Sequence, residues 1–445
     1  MEWDGSSRAS GRWRRSSSGG PPAVVRSGGS SIGWLGADVL CAIFALLDHF
    51  DVARCAAVCK SWHSIISTSS LLRDLFMKRA PNVFGTTDLS VPSGSSLNTY
   101  LEELAMEQHR LALLHGNARV HQWNGHSVRV SHCRMRRGLI LTGVGDKVMR
   151  LWSAANYQCL HEYCTPGTNS LVDFDFDESK VVGLIGSQIC IWRRHSGKTS
   201  ILQPKEGTFA RSLSMCYSDP EAVVGCEDGR CRVFDMYGGN CSRIIRMHAG
   251  PVTCLCLTDE QLIIGGSSFG SITVADLSSG ERVAVLKSTI SPIGISSLCF
   301  NMHSYLVFAG STAGYSHCWD LRTLRPLWES RISSNVIYAV HHLSRDTSTL
   351  ATGGIDGVLR VLNQQTGEVL SSYVTAEDDT VALSSDGEGI KKYRVRAIPN
   401  DVRIDSIPKS RRSSITCLAV GMKKIVTTHN ERYIRLWGYN EKIKL

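Results

Sequence analysis

The chain has 445 residues, 42% hydrophobic and 20% charged, with 40 Gly, 12 Pro, 16 Cys and a formal charge of +9. This ordinary Gly and Pro share excludes collagen-like and globally disordered chains. The longest apolar run, Val39–Leu47, falls far short of the roughly 18 residues a membrane-crossing helix needs, so no membrane association is expected.

Met-Glu-Trp-Asp-Gly at the start leads into Ser, Gly and Arg with no apolar secretory core. A cytoplasmic or nuclear location and reduced thiols are therefore expected. No Cys-x-x-Cys pair occurs, and Cys254 and Cys256 lie inside an apolar run, as small buried hydrophobes do. No metal or cofactor is predicted.

Residues 1–33 hold Arg8, Arg12, Arg14, Arg15 and Arg26 against Glu2 and Asp4, a third of the excess charge. They contain almost no aliphatics and read as a disordered tail. The remaining charge is scattered rather than gathered in a basic patch, which disfavours nucleic acid.

From Trp34 the composition turns helical. Val39, Leu40, Ile43, Phe44 and Leu47 recur at three- and four-residue steps after Asp38, a predicted N-cap. A second stretch, from the expected cap Asp51, runs through Val52, Cys55, Ala56, Val58, Cys59 and Trp62. A third goes from Ser70 through Leu71, Leu72, Leu75 and Phe76 to Lys78-Arg79, and Pro81 ends it. So small a helical core gains most from a partner that covers its apolar face.

The series Leu35-x-x-Asp38-x-Leu40-x-x-Ile43-Phe44-x-x-Leu47, then Asp51-Val52, then Val58-Cys59-Lys60-x-Trp62, resembles the F-box over residues 34–80. One departure is Leu35-Gly36 in place of the usual Leu-Pro, which leaves the entry to the first helix less preorganised. The resemblance implies docking on a Skp-type adaptor through Leu35, Val39, Leu40, Ile43, Phe44 and Leu47, with Val58 and Trp62.

Residues 81–116 read as a linker carrying one spacer helix. Thr99-x-x-Glu102 forms a capping box, and Leu101, Leu104, Leu111 and Leu114 lead to a stop at Gly116. About 16 residues at 1.5 Å rise give roughly 24 Å.

The rest, 117–445, repeats. Strand-like runs end at Trp152, Trp192, Phe234, Ala275, Trp319, Leu362 and Trp437, spaced 40, 42, 41, 44, 43 and 75 residues. An insertion at about 375–412 accounts for the long last step. The grammar of apolar run, Gly-rich turn and aromatic-ended run resembles the WD repeat, implying a mainly β, seven-bladed propeller. In the first repeat His126, Thr142, Asp146 and Trp152 match the family's hydrogen-bonded tetrad. The chain stops soon after Trp437, so Asn117–Trp123 is expected to supply the last blade's outer strand.

No phosphate-binding loop, nucleophile elbow or His-Glu-x-x-His is present, so no enzyme is expected. Family resemblance puts partner binding on the face of d–a loops and b–c turns. The cations there are Lys147, Arg230, Arg246, Arg411, Arg412 and Arg432, suited to acidic or phosphorylated peptides or simply solvated. The insertion is acidic at Glu377, Asp378 and Asp379, then basic from Lys391 to Arg412, and reads as a long functional or disordered loop.

F-box followed by propeller resembles the substrate receptors of Skp–cullin–F-box ubiquitin ligases. That implies an adaptor, a cullin scaffold and a protein substrate of open phosphorylation state. The alternative is a non-enzymatic scaffold whose F-box serves outside ubiquitination.

Overall fold

The computed structural model describes residues 35–72, 74–75, 97–115, 117–144, 147–202, 210–289, 293–375, 390–399, 404–409 and 412–440. The tail 1–33, Phe76 to Pro81, the loop 82–96, Gly116, Asp146, Glu377 to Asp379 and Arg411 lie outside the described residues. The chain divides into two units, Met1–Leu101 and Glu102–Leu445.

In the first unit α1 (Ala37–Phe44), α2 (His49–Ala56) and α3 (Lys60–Thr68) precede a helical segment that includes Leu71, Leu72, Asp74 and Leu75. Two expected caps move. Gly36 rather than Asp38 is the N-cap of α1, and Asp38 sits in the first turn, where its charge suits the helix dipole. Asp48 rather than Asp51 caps α2, its carboxylate accepting the Asp51 N–H at 2.8 Å.

The single stretch expected from Val52 to Trp62 is two helices. Backbone bonds from Ala57 to Arg54 O and from Val58 to Cys55 O close α2. The Cys59 sulfur then accepts the Trp62 N–H at 3.5 Å and starts α3. A thiol is a weak cap acceptor, which is why the break carries little sequence signal. Leu40, Phe44, Val52, Ala56, Ile66, Leu71, Leu72 and Leu75 are buried, and Phe44 meets Trp62 edge-on at 5.2 Å between ring centroids.

Helix α4 spans Leu97–His115, so Thr99 lies inside its first turn instead of capping it. Within the second unit its residues Leu104, Ala112 and Leu113 are buried. Arg110 Nε reaches the fully buried Asp346 carboxylate at 2.8 Å, and the Lys423 N–H donates to His109 Nδ1 at 2.9 Å. Near the helix end the Leu113 carbonyl accepts from Ser371 Oγ at 3.0 Å and from the Tyr373 hydroxyl at 2.8 Å. Those bonds satisfy a carbonyl that the helix itself leaves without a partner. The helix lies against the seventh blade, as expected, through Lys423, but its bonds to Asp346, Ser371 and Tyr373 are to the sixth.

The remainder is a seven-bladed propeller. Six four-stranded antiparallel sheets occupy residues 130–164, 171–202, 212–246, 252–287, 295–331 and 337–373. In each, the periodic anchor read from the sequence is the penultimate residue of the third strand. Blades pack closely because small residues face the next blade's innermost strand. A Cβ at Gly143 would lie 2.3 Å from the Phe174 ring, and one at Gly353 2.7 Å from the Ile415 side chain. Larger residues there would force neighbouring blades apart.

The seventh sheet has five strands. Asn117–Asn124 pairs antiparallel with Tyr433–Asn440, with Val120 opposite Trp437, as the closure argument requires. Lys391–Val395 then pairs along its other edge, with Val120 opposite Tyr393. Part of the insertion read as a loop is therefore a strand. Lys391-Lys392-Tyr393-Arg394-Val395 gives a short basic run with little alternation, and the pairing comes from the edge that Asn117–Asn124 offers. Ala112, Leu113, Ala118, Val120, Val395, Trp437 and Tyr439 share one buried cluster.

Val120→Asp places an unpaired carboxylate in that cluster and is expected to cost at least about 3 kcal/mol. Urea unfolding of the full chain followed by tryptophan fluorescence measures it; an unchanged midpoint would contradict this role for the strand.

Candidate functional site

Helix α1 and its entry build a hydrophobic strip. Val39 and Ile43, one turn apart, share the exposed face of α1, while Leu35 precedes its N-cap and Leu46 lies in the turn after its C-cap. Leu35, Val39, Ile43 and Leu46 are 39%, 48%, 39% and 87% exposed, and Val58, in the turn before α3, is 66% exposed. The opposite face carries Leu40 and Phe44 into the helical core.

The eight expected adaptor contacts thus separate. Leu35, Val39, Ile43 and Val58 are at the surface, while Leu47 and Trp62 are half-buried. Leu40 and Phe44 are buried and support the strip rather than display it. Leu46 escaped the sequence reading because it lies in the turn after α1, where helical periodicity gives no signal. Complete burial of one such side chain is worth about 1.5–3 kcal/mol, so four or five form a substantial docking surface.

Gly36 holds φ −61° and ψ 157°, with open space where a Cβ would stand. That φ is the one a proline ring imposes. The departure from Leu-Pro therefore keeps the helix entry geometry and gives up only its rigidity.

On the propeller face the six expected cations have different fates. Arg230, Arg246 and Arg432 are exposed, and Lys147 is half-buried with Nζ 3.4 Å from the Gly167 carbonyl. Arg230 and Arg246 stand directly opposite one another on paired strands, an arrangement in which like charges repel. Arg412 is a correction: it is buried, donating from Nε to Ile407 O at 3.0 Å and from Nη1 to Asp356 O at 3.2 Å. It fastens the end of the insertion and is not presented to a partner. Arg411 lies outside the described residues.

Acidic turn residues are likewise committed. Arg232 pairs with Asp228 at 2.9 Å and Arg360 with Asp356 at 2.7 Å, each four residues on. Burial raises the Asp228 carboxyl, but the Arg232 and backbone hydrogen bonds outweigh it and hold the group below the usual range. The same Asp-x-x-x-Arg spacing recurs in both repeats.

The tetrad of the first blade is present in three of its members, Asp146 being outside the described residues. His126 Nε2 lies 2.8 Å from Thr142 Oγ1, which also accepts the Trp152 indole N–H at 2.9 Å. Arg150 Nη1 lies 3.1 Å from His126 Nδ1. A guanidinium only donates, so Nδ1 accepts there and Nε2–H faces the threonine.

The seventh blade rebuilds this arrangement in a way the sequence reading missed. Trp437 Nε1 donates to Thr427 Oγ1 at 2.9 Å, and Thr427 Oγ1 meets His429 Nε2 at 3.0 Å. The histidine comes from the second strand instead of the preceding loop, so motif spacing does not find it. Burial pushes the His429 imidazole down to about 3.

Among the described residues no group of three or more His, Cys, Asp or Glu side chains is arranged to hold a metal ion, and no helix is long and apolar enough to cross a membrane.

A small helical unit with an exposed apolar strip, followed by a seven-bladed propeller, is the architecture of an F-box joined to WD repeats. A family model described as F-box-like matches residues 37–78. An F-box/WD-40 repeat-containing protein of Arabidopsis thaliana is 46% identical over 437 residues, covering 92% of this chain and 95% of that one. Angio-associated migratory cell protein of Homo sapiens is 28% identical over 184 residues, 37% of this chain and 42% of its own. Among solved structures the computationally designed Ika8 protein is similar in fold, with TM-score 0.51 and 16% identity over 71% of this chain and 98% of its own. The chain belongs to the F-box/WD-40 repeat-containing proteins.

Gly36→Pro is expected to stabilise α1 by about 0.4–1 kcal/mol through the unfolded state. Amide exchange across α1 should slow by about two- to fivefold; faster exchange would show that the Gly36 geometry does not accept proline.

Proposed function

We propose that this protein is the substrate-recognition subunit of a Skp–cullin–F-box ubiquitin ligase, acting in the cytoplasm or nucleus. The observation that carries the reading is the strip of Leu35, Val39, Ile43, Leu46 and Val58, exposed in a helical unit that matches the F-box. Monomeric surfaces seldom leave such a row uncovered without a partner for it. A Skp-type adaptor takes the strip, and a cullin scaffold brings the ubiquitin-charged enzyme.

The propeller then holds the target protein on its loop face, where Arg230, Arg246 and Arg432 are exposed. These cations favour an acidic or phosphorylated segment. The chain performs no bond chemistry in this account. It raises the local concentration of target lysines near a charged partner.

Replacing Val39 and Ile43 together by Asp leaves the helical core untouched and charges the centre of the strip. Capture of a purified Skp-type adaptor by the full chain is expected to fall by at least about 100-fold, equivalent to roughly 3 kcal/mol. Circular dichroism should be unchanged. Undiminished capture by the double variant, or no capture by the natural chain, would overturn the reading.

A further inference from the structure

The strands that close the ring also gather charge. Across the seventh sheet Lys424 lies opposite Gly438, Gly438 opposite Arg119, and Arg119 opposite Arg394. Residues directly opposite one another in an antiparallel sheet share a face. One row therefore reads lysine, glycine, arginine, arginine across four strands, about 14 Å in steps of about 4.8 Å. On the same face His121 lies opposite Lys392, which stands about 6.7 Å along its strand from Arg394. These cations come from three separate stretches of chain, which is why the charge reads as scattered in the sequence.

Arg119 and Arg394 are exposed, and among the described residues no carboxylate pairs with either. Like charges directly opposite one another destabilise a strand pair, and these two sit in the ladder that adds the fifth strand. The Lys424 ammonium donates to the Ala154 carbonyl at 2.7 Å, which uses one of its three N–H groups. Between Lys424 and Arg119 stands a residue without a side chain. A Cβ at Gly438 would meet only the Arg119 carbonyl oxygen, at 3.7 Å, so the row contains a notch floored by backbone and flanked by cations. The first-blade turn that borders this face, Ala154-Ala155-Asn156-Tyr157-Gln158, carries no carboxylate, and its Tyr157 stacks on His121 at 4.7 Å. Burial lowers the His121 imidazole, and Lys392, Arg119 and Lys424 lower it further, as a positive field does.

We propose that this face binds a compact, multiply phosphorylated small anion, with one phosphate in the Gly438 notch between Lys424 and Arg119 and another against Arg119 and Arg394. Guanidinium forks match phosphate oxygens in pairs, and a lysine adds a point charge. The cations fill a patch that is short in both directions, which suits a compact ligand. A polynucleotide instead needs a track along which successive phosphates run. An anion here turns the repulsion between Arg119 and Arg394 into a shared attraction. It also ties together the strands Lys424–His429, Asn117–Asn124 and Lys391–Val395, so the ligand strengthens the closure of the ring. The face belongs to the flank of the seventh sheet and has no part in adaptor binding, so the proposal stands whether or not the ligase reading does.

Titration calorimetry of the full chain with inositol hexakisphosphate at physiological salt is expected to show saturable one-to-one binding. At about 100 times its Kd the ligand should raise the melting temperature by about 3–5 °C. Arg119→Gln with Arg394→Gln should weaken binding at least about tenfold, while the ligand-free chain melts no lower because the opposed charges are gone. Gly438→Val keeps every charge but fills the notch, and should also weaken binding by about tenfold. Inorganic phosphate and a single-stranded oligouridylate should each bind at least about tenfold more weakly than inositol hexakisphosphate. The proposal is overturned if the natural chain shows no saturable binding, or if neither variant changes the affinity. It also fails if the oligouridylate binds as tightly, which would make the face a polynucleotide surface. Where a variant does not fold, the comparison of the three ligands on the natural chain decides alone.

Discussion

Pairing of Asn117–Asn124 with Tyr433–Asn440 is the contact on which the second unit depends. A propeller has no covalent ring, and its last sheet would otherwise end in unpaired amide and carbonyl groups. The closing strand satisfies them and places Val120 against Trp437 in a cluster shared with Ala112 and Leu113 of α4. Closure and the docking of α4 are therefore one event in packing terms. The strand Lys391–Val395 covers the edge that this solution leaves, and its lysines and arginine discourage further pairing.

The helical unit follows the opposite logic. Its core is small, and the strip from Leu35 to Leu46 stays outside it. The propeller satisfies its own edges, and the F-box leaves an apolar face exposed. On the proposed reading, this contrast separates the two tasks of a receptor: a constant surface for the machinery and a rigid ring whose loops meet the target.

Much of this was legible in the sequence because periodicity survives degeneration of individual repeats. Trp152, Trp192 and Trp319 mark strand positions by shape and spacing, even where the turn Asp is lost. Other features depend on partners distant in sequence. Arg412 looks like a surface charge until Asp356 O and Ile407 O are seen around it. His429 looks like an ordinary strand residue until Thr427 and Trp437 complete its network. The break between α2 and α3 rests on a cysteine cap, and the fifth strand on an edge built by residues far earlier in the chain.

The most direct measurement of the central claim is hydrogen–deuterium exchange of the full chain with and without a purified Skp-type adaptor. The account predicts new protection confined to the first unit, strongest from Leu35 to Leu47 and around Val58, with the propeller strands unchanged. Protection that appears on the blades instead, or none at all at saturating adaptor, would contradict it.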